Sequence, residues 1–220
     1  AVQAAQLQVL QPGAAQGPSE ARQPSEVMSH LGAAWLERED RDAEQQPEKV
    51  IAVMGLKPGD VVADIGAGTG YFARRMAPHV APGGKVYGQD IQPEMLELME
   101  GYVAKEGLKN VEMVLGTETR LNLPEASLDW AILVDVYHEF QEPEPMLADI
   151  LRVLKADGKV ALLEYRLLGD TAKHIKTDHR MSVAQVLKEW VPAGFELLEL
   201  HEFLPAQHLF IFGKAAPAAE

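Results

Sequence analysis

The chain has 220 residues, and its 20 Lys and Arg against 33 Asp and Glu give a formal net charge of −13. This length and a hydrophobic fraction of 47% suit one globular domain with a sizeable core. The acidic charge argues against binding nucleic acid or a membrane surface electrostatically, and the absence of cysteine excludes disulfides, thiolate metal sites and cysteine nucleophiles.

The two ends of the chain differ in composition from its middle. Residues 1–24 are rich in Ala, Gln and Pro and hold no helical or strand period, so we expect a flexible tail there. Residues 215–220 are expected to form a second, frayed end.

Residues 25–55 are predicted to form a helical cover that precedes the main domain. One or two short helices are expected around Trp35. Pro47 suits the first position of a further helix, and Gly55 can end that helix in a left-handed conformation. Such a cover can fold over a site and exclude water.

Residues 56–214 alternate between apolar strands and helices. Strands are predicted at 61–65, 85–90, 111–115, 128–135 and 158–164, and helices at 71–77, 93–106 and 143–154. This alternation indicates βαβ units in an α/β fold with a doubly wound, mostly parallel sheet.

The last section is predicted to end in a hairpin. A helix at 182–190 precedes two strands at 195–204 and 207–213, which Pro205 and Ala206 join. A link this short has no room for a crossover helix, so the two strands are expected to pair antiparallel.

A glycine-rich loop, DIGAGTG at 64–70, follows the first strand and opens the next helix. Its glycines permit positive φ and a close approach of the backbone to a ligand. No Lys-Ser or Lys-Thr follows, which argues against a P-loop for ATP. A dinucleotide loop needs its third glycine where Tyr71 stands, one residue later than the glycine found here.

Four motifs in order resemble those of class I (Rossmann-like) S-adenosylmethionine-dependent methyltransferases of the bacterial small-molecule type. They are the glycine loop, Asp90 at the end of the second strand, LNLPEASLD at 121–129 and RVLKADGKV at 152–160. The resemblance covers about residues 55–165. It implies a seven-stranded sheet with an antiparallel C-terminal hairpin, and methyl transfer from S-adenosylmethionine to a small-molecule acceptor.

The resemblance also implies a donor site. Asp64 and the glycines would build its methionine end, Asp90 would hold the ribose hydroxyls, and Asp135 would help to place the methionine amine. The implied cofactor-binding residues are Asp64, Gly66, Ala67, Gly68, Gly70, Tyr71, Asp90, Ile91, Thr117, Glu118 and Asp135.

Proton transfer is predicted at the end of the fourth strand, the segment that faces the methyl group in this family. His138 is the first candidate for the base that takes the acceptor's proton, because an imidazole titrates near neutral pH. Glu139 is the second, either as the base or as the group that orients His138. The alternative for His138 is a loop cap bonded to the backbone, since methyl transfer can run on alignment alone.

Acceptor contacts are expected from the cover and from the ends of the fourth and fifth strands. The candidates are Trp35, Tyr137, Glu164, Tyr165, His179 and Arg180. The basic stretch 174–180 is either a place for an anionic acceptor or a solvated loop. His174 and His179 do not have the spacing of a one-face helical pair, so we expect no metal site.

Two other functions fit the same residues: an NAD(P)-binding oxidoreductase, and a non-catalytic protein that binds S-adenosylmethionine. A nucleic-acid N-methyltransferase is disfavoured, because [DN]PP[YFW] is absent at 135–138. The donor is made in the cytoplasm, which predicts a cytoplasmic location, although the start at Ala1 leaves export of a processed form open. A monomer and a homodimer fit the sequence equally well.

Overall fold

The computed structural model of the chain describes residues 23–216. Residues 1–22 of the predicted tail and residues 217–220 of the predicted C-terminal end lie outside the described residues. The strands are β1 (Val61–Ile65), β2 (Lys85–Asp90), β3 (Val111–Leu115), β4 (Leu128–Val134), β5 (Leu154–Arg166), β6 (Arg180–Met181), β7 (Phe195–His201) and β8 (Gln207–Lys214). The α-helices are α1 (Arg41–Gln45), α2 (Pro47–Met54), α3 (Tyr71–Val80), α4 (Pro93–Glu106), α5 (Pro143–Val153) and α6 (Val183–Trp190). Short 3₁₀ helices span His30–Glu37, Tyr137–Glu139 and Thr177–His179.

One mixed sheet carries the fold, with strand order β3-β2-β1-β4-β5-β8-β7. The pairs β3-β2, β2-β1, β1-β4 and β4-β5 are parallel, whereas β8 pairs antiparallel with both β5 and β7. This confirms the predicted α/β fold and its antiparallel C-terminal hairpin. The predicted count of seven strands is short by one, because Arg180 and Met181 form the two-residue strand β6 beside the end of β5.

Two hydrophobic clusters pack against the two faces of the sheet. Side chains alternate between these faces along each strand, so Ala63 and Leu133 lie in one cluster while Val62 and Ile132 lie in the other. Helices α5 and α6 contribute to the first cluster, and α2 and α3 to the second. Among residues 23–216, no helix combines the length and the apolar character needed to cross a membrane.

Strand β5 begins four residues earlier than the sequence predicts. Leu154 already pairs with Leu128 of β4, and a register shift follows before the regular ladder resumes at Trp130 and Lys159. The Lys155 ammonium lies 2.7 Å from both carboxylate oxygens of Asp129, which fixes this irregular stretch to the start of β4. Residues 154–157, which precede the predicted strand, are therefore held as an extended, bulged part of it.

Candidate functional site

A cleft opens where β1, β2 and β4 end. β1 lies between β2 and β4 in the sheet, so the order of strands reverses at this point. Open α/β sheets bind ligands at such switch points, beyond the carboxyl ends of the strands. The cleft has a volume of about 960 Å³, including the part that is open to solvent.

The glycine loop forms one wall of this cleft. Gly66, Gly68 and Gly70 all have positive φ, at 67°, 55° and 78°. A Cβ atom at Gly66 would stand 2.4 Å from Val136, and one at Gly68 would stand 2.7 Å from Leu36. The loop therefore needs glycine both for its backbone conformation and for the close approach of its neighbours.

Asp64 ties the glycine loop to the helix that follows. Its carboxylate accepts a hydrogen bond from the backbone N–H of Ala73 at 2.9 Å, inside the first turn of α3. Burial raises the pKa of Asp64 to about 7. The side chain thus stabilises the start of α3 while it also lines the cleft.

Asp90 stands at the end of β2, opposite the loop. Its two carboxylate oxygens accept hydrogen bonds from the backbone N–H groups of Gly68 and Gln92, both at 2.9 Å. The side chain is buried, and this burial raises its pKa. Asp90 is therefore held rigidly against the glycine loop, and the remaining lone pairs of its oxygens can accept hydrogen bonds from a ligand.

Asp135 follows β4 in a left-handed conformation, with φ of 51°. One carboxylate oxygen, Oδ2, accepts hydrogen bonds from the side-chain amides of Gln45 and Gln207, at 2.7 and 2.6 Å. The other oxygen, Oδ1, is buried and has no hydrogen-bond partner among residues 23–216. Burial raises the pKa of Asp135 to about 7. An orphaned buried oxygen on a residue that lines a cleft indicates a missing donor from a ligand.

The N-terminal segment crosses the cleft from wall to wall. The backbone N–H of Ser25 donates to the carbonyl of His138 at 3.0 Å, and that of Met28 donates to Glu139 Oε1 at 3.2 Å. At the opposite wall, Gln92 bonds the carbonyl of Met28 at 2.8 Å and the N–H of His30 at 3.0 Å. Residues 25–30 therefore form a strap above the cleft.

A second set of contacts holds the cover beside the glycine loop. Glu37 accepts hydrogen bonds from Thr69 Oγ1 at 2.6 Å and from Arg74 Nη2 at 2.7 and 2.8 Å. Arg74 is also paired with Glu106. Thr69 and Arg74 belong to the loop and to α3, so the end of the His30–Glu37 helix is fixed to the glycine-loop wall of the cleft.

Glu139 is the predicted proton-handling residue that the structure places in the cleft lining. Burial raises its pKa to about 7, with the charge of His138 acting in the opposite direction. His138 is buried behind it and is absent from the lining. The His138 Nδ1 atom lies 2.7 Å from Glu164 Oε2, and the His138 N–H donates to Glu164 Oε1 at 3.1 Å. Burial opposes protonation of this imidazole, but the Glu164 carboxylate outweighs it and raises the pKa of His138 to about 8.

Most of the predicted cofactor-binding residues meet in the cleft. Those that line it are Asp64, Gly66, Ala67, Gly68, Asp90, Ile91, Thr117, Glu118 and Asp135. Gly70 and Tyr71 do not. Gly70 lies against Met99, and the Tyr71 ring is stacked between the guanidinium groups of Arg41 and Arg75.

The residues predicted to contact the acceptor lie outside the cleft lining. Tyr137 is fully buried beside Trp190 and donates to Glu189 at 2.5 Å, and Tyr165 donates to Glu44 at 2.9 Å. Trp35 is 40% exposed under Arg38. His179 packs its ring 5.1 Å from that of His138. The acceptor roles of Trp35, Tyr137, Glu164, Tyr165, His179 and Arg180 therefore stay predictions that the cleft geometry does not support.

No residue of the basic stretch 174–180 lines the cleft either. His174 is 3.2 Å from Glu44, His179 is 2.7 Å from Asp178, and Arg180 donates to Thr177 at 2.8 Å. The cleft itself carries five carboxyl side chains and one cationic side chain among its described lining residues. The prediction of an anionic acceptor on this basic stretch thus finds no support in the geometry.

Several lining residues were not singled out by sequence reasoning. They come from the cover and from the loop after β4, namely Val27, Met28, Leu36, Arg41, Phe140 and Gln141. Arg41 stands in the charged run REDR at 38–41, a pattern that is usually a solvated surface. Only the fold brings it over the glycine loop.

Comparisons with known proteins agree with this geometry. A family model described as a methyltransferase domain matches residues 56–203. The chain is 34% identical over 111 residues to an arsenite methyltransferase of Halobacterium salinarum, covering 50% of this chain and 28% of that protein. It is 31% identical over 121 residues to the ubiquinone/menaquinone biosynthesis C-methyltransferase UbiE of Ectopseudomonas mendocina, covering 54% of this chain and 47% of that protein. The chain thus spans half or less of the length of these curated relatives.

The crystal structure of a SAM dependent methyltransferase from Aquifex aeolicus is similar over more of the chain. It superposes with a TM-score of 0.80 at 27% identity, and the match covers 84% of this chain and 98% of that one. The structural similarity therefore extends well beyond the glycine loop.

Proposed function

Because the chain belongs to the class I S-adenosylmethionine-dependent methyltransferases, we propose that it transfers a methyl group from S-adenosylmethionine to a small-molecule acceptor held beneath its N-terminal cover. The observation that carries this proposal is that one cleft combines residues suited to bind the donor with a carboxyl group suited to accept a proton. The glycine loop and Asp90 form one wall, and the half-buried carboxyl group of Glu139 belongs to the same lining.

The residues of the cleft fit the chemical groups of the donor. Asp90 offers carboxylate oxygens to a ribose diol, and Asp135 offers its orphaned Oδ1 to an ammonium group. The glycines at 66 and 68 let Val136 and Leu36 pack directly against the loop, which sets the shape of this wall. When bound, the donor supplies an electrophilic methyl group on a sulfonium centre, so the protein's task is to align the acceptor and exclude water.

Glu139 is our proposed base for the acceptor's proton. Its pKa of about 7 leaves a substantial carboxylate fraction at neutral pH while keeping the group basic enough to accept a proton. The Met28 N–H bond to Oε1 holds the carboxyl group against the strap, at the cleft surface. We prefer Glu139 to the first sequence candidate, His138, because His138 is buried against Glu164 and does not line the cleft.

His138 then acts as a positioning residue. Glu164 binds both the backbone N–H and the imidazole of His138, which fixes the Tyr137–Glu139 turn. The carbonyl of His138 in turn accepts from Ser25 in the strap. This residue therefore connects the sheet, the proposed base and the cover.

The acceptor is expected to be small, and neutral or cationic. The five carboxyl groups in the lining outnumber its single cation, so an anionic acceptor would be repelled. A nucleic-acid acceptor is disfavoured for the same reason. The cytoplasmic location that the donor implies stays a prediction.

A screen of small-molecule acceptors tests the proposal. The full chain is incubated with S-adenosylmethionine and each candidate, and release of S-adenosylhomocysteine is measured. We expect release with at least one neutral or cationic acceptor and its loss in the Asp90→Ala variant. Binding of S-adenosylhomocysteine without turnover on any acceptor would favour a non-catalytic binding protein instead.

A further inference from the structure

Arg41 is the single cationic side chain among the described residues that line the cleft. It begins α1, in the cover, and only 6% of its surface is exposed. The other charged side chains of the lining are carboxyl groups, and Asp64 and Asp135 act on its charge from nearby.

The hydrogen bonds of the Arg41 guanidinium go to uncharged groups. Its Nη1 donates to the carbonyl of Leu36 at 2.6 Å, and its Nε donates to Gln45 Oε1 at 2.7 Å. One face lies 4.0 Å from the centre of the Tyr71 ring. Within residues 23–216, no carboxylate oxygen lies within 4.0 Å of this guanidinium.

Arg74, the other buried arginine in this part of the structure, is paired with carboxylates. It is also 6% exposed, but it forms ion pairs with both Glu37 and Glu106. A guanidinium stays charged when buried, and Arg41 has only the charges of Asp135 and Asp64, without an ion pair, to offset the cost of burial. The contrast indicates that Arg41 is shaped for an anion that comes from outside the chain.

Gln45 places this cation beside an unsatisfied acceptor. Its Oε1 accepts from Arg41 Nε at 2.7 Å, and its Nε2 donates to Asp135 Oδ2 at 2.7 Å. The free oxygen of the same carboxylate, Asp135 Oδ1, is the buried atom without a partner. The Gln45 amide thus bridges the Arg41 cation and the Asp135 carboxylate. This pair of opposite charges is complementary to the ammonium and carboxylate groups of an α-amino acid.

We propose that Arg41 binds the carboxylate of the donor's methionine moiety, next to the Asp135 carboxylate that the proposed function already assigns to the ammonium group. This inference rests on the proposed function and assigns to the cover a direct part in donor binding. The donor site would then be complete only when α1 lies over the glycine loop, so the amino-acid end of the donor would draw the cover closed.

Calorimetric titration of the full chain with three ligands tests the assignment. S-adenosylhomocysteine carries the whole amino-acid end, its decarboxylated analogue S-adenosyl-3-thiopropylamine lacks the carboxylate, and 5′-methylthioadenosine lacks the amino-acid end entirely. Wild type should bind S-adenosylhomocysteine about ten- to a hundredfold more tightly than the decarboxylated analogue, as a charged hydrogen-bonded pair provides. This comparison needs no variant and so does not depend on any variant folding.

The Arg41→Gln variant should lose that discrimination and bind the two amino-containing ligands alike, with 5′-methylthioadenosine affinity unchanged. Arg75→Gln is the matched control, because Arg75 also lies over the Tyr71 ring, 3.6 Å from its centre, but does not line the cleft. It should bind all three ligands as wild type does.

Two results would overturn the assignment. One is a wild type that binds S-adenosylhomocysteine and its decarboxylated analogue equally. The other is an Arg41→Gln variant that weakens all three ligands by the same factor, which is the signature of a structural role. A wild type that binds none of the three ligands would instead overturn the proposed function itself.

Discussion

Glu164 holds His138 by two separate hydrogen bonds, one to its backbone N–H at 3.1 Å and one to its imidazole Nδ1 at 2.7 Å. Both side chains are buried, with 3% and 0% of their surface exposed. A buried pair of this kind gives stability that depends on pH, because only the protonated imidazole forms the ion pair.

The sign of this dependence follows from the pKa of His138, which rises from 6.5 to about 8 on folding. The stabilisation is fully present below the unfolded value of 6.5 and is lost as the pH rises through about 8. The shift corresponds to about 2 kcal/mol. We expect the difference in free energy of unfolding between wild type and His138→Gln to shrink by that amount between about pH 6 and about pH 9.

Urea unfolding at a series of pH values measures this difference. His79→Gln is the control, because this imidazole lies 43% exposed on α3, where solvent screens its 3.6 Å pair with Glu48. A His138→Gln difference that stays constant across the range would contradict the account of the pair.

Replacement of Glu139 by Gln should slow methyl transfer without weakening donor binding. Wild-type turnover should rise with pH through about 7, as Glu139 loses its proton and becomes able to accept another, and the variant should lack this rise. General-base catalysis is worth about 10²- to 10⁴-fold, so the rate at pH 8 should fall by a factor in that range.

The pH profile of turnover and the affinity for S-adenosylhomocysteine are measured side by side. Glu144→Gln, an exposed acid in the first turn of α5, serves as the matched variant and should behave as wild type. Full turnover in Glu139→Gln would show that the reaction runs on alignment and desolvation alone.

A methyl group on Gly66 should damage both stability and donor binding. Alanine would be strained at a φ of 67°, and its Cβ would stand 2.4 Å from Val136. We expect a loss of at least about 2 kcal/mol in the free energy of unfolding, together with loss of S-adenosylhomocysteine binding.

Gly101→Ala is the matched substitution for comparison. Gly101 lies within α4, and a Cβ there would meet no atom within 4 Å. It should stabilise the protein by about 0.5–1 kcal/mol and leave ligand affinity unchanged. If Gly66→Ala behaved like Gly101→Ala, the close approach of the loop to Val136 would contribute neither to stability nor to ligand affinity.

The contacts of Glu37 with Arg74 and Thr69 should stabilise the cover against local opening. Glu37→Gln removes the ion pair at 2.7 Å, so amide hydrogens of residues 30–46 should exchange faster while those of the central strands do not change. Hydrogen-exchange mass spectrometry measures this. Glu112→Gln removes an exposed pair with Lys85 and should leave the cover unaffected; the same exchange in both variants would show that the cover is held by other contacts.

The sheet was predictable because its signals are local. The apolar runs that became β1 and β4, the glycine loop between β1 and α3, and the link too short for a crossover each dictate a pairing from nearby residues. The early start of β5 was not predictable, since it depends on Lys155 reaching Asp129, 26 positions earlier in the chain.

The donor wall of the site was predictable for the same reason, because it is built from residues that directly follow strands. The roof was not. Arg41 and Leu36 reach the glycine loop through the path of the cover, and the displacement of His138 from the cleft follows from its bond to Glu164 in β5. Contacts between positions so distant in sequence leave no periodic signal in a single chain.

The nicotinamide alternative and the methyltransferase account separate most directly in one measurement, thermal unfolding of the full chain with S-adenosylhomocysteine, NAD or NADP. A ligand at about 100 times its Kd stabilises the folded state by about 2.7 kcal/mol, which raises the Tm of a chain of this length by about 5–10 °C. We predict such a rise with S-adenosylhomocysteine, its loss in Asp90→Ala, and no rise with either dinucleotide. No rise with S-adenosylhomocysteine, or a larger one with NAD or NADP, would contradict the account.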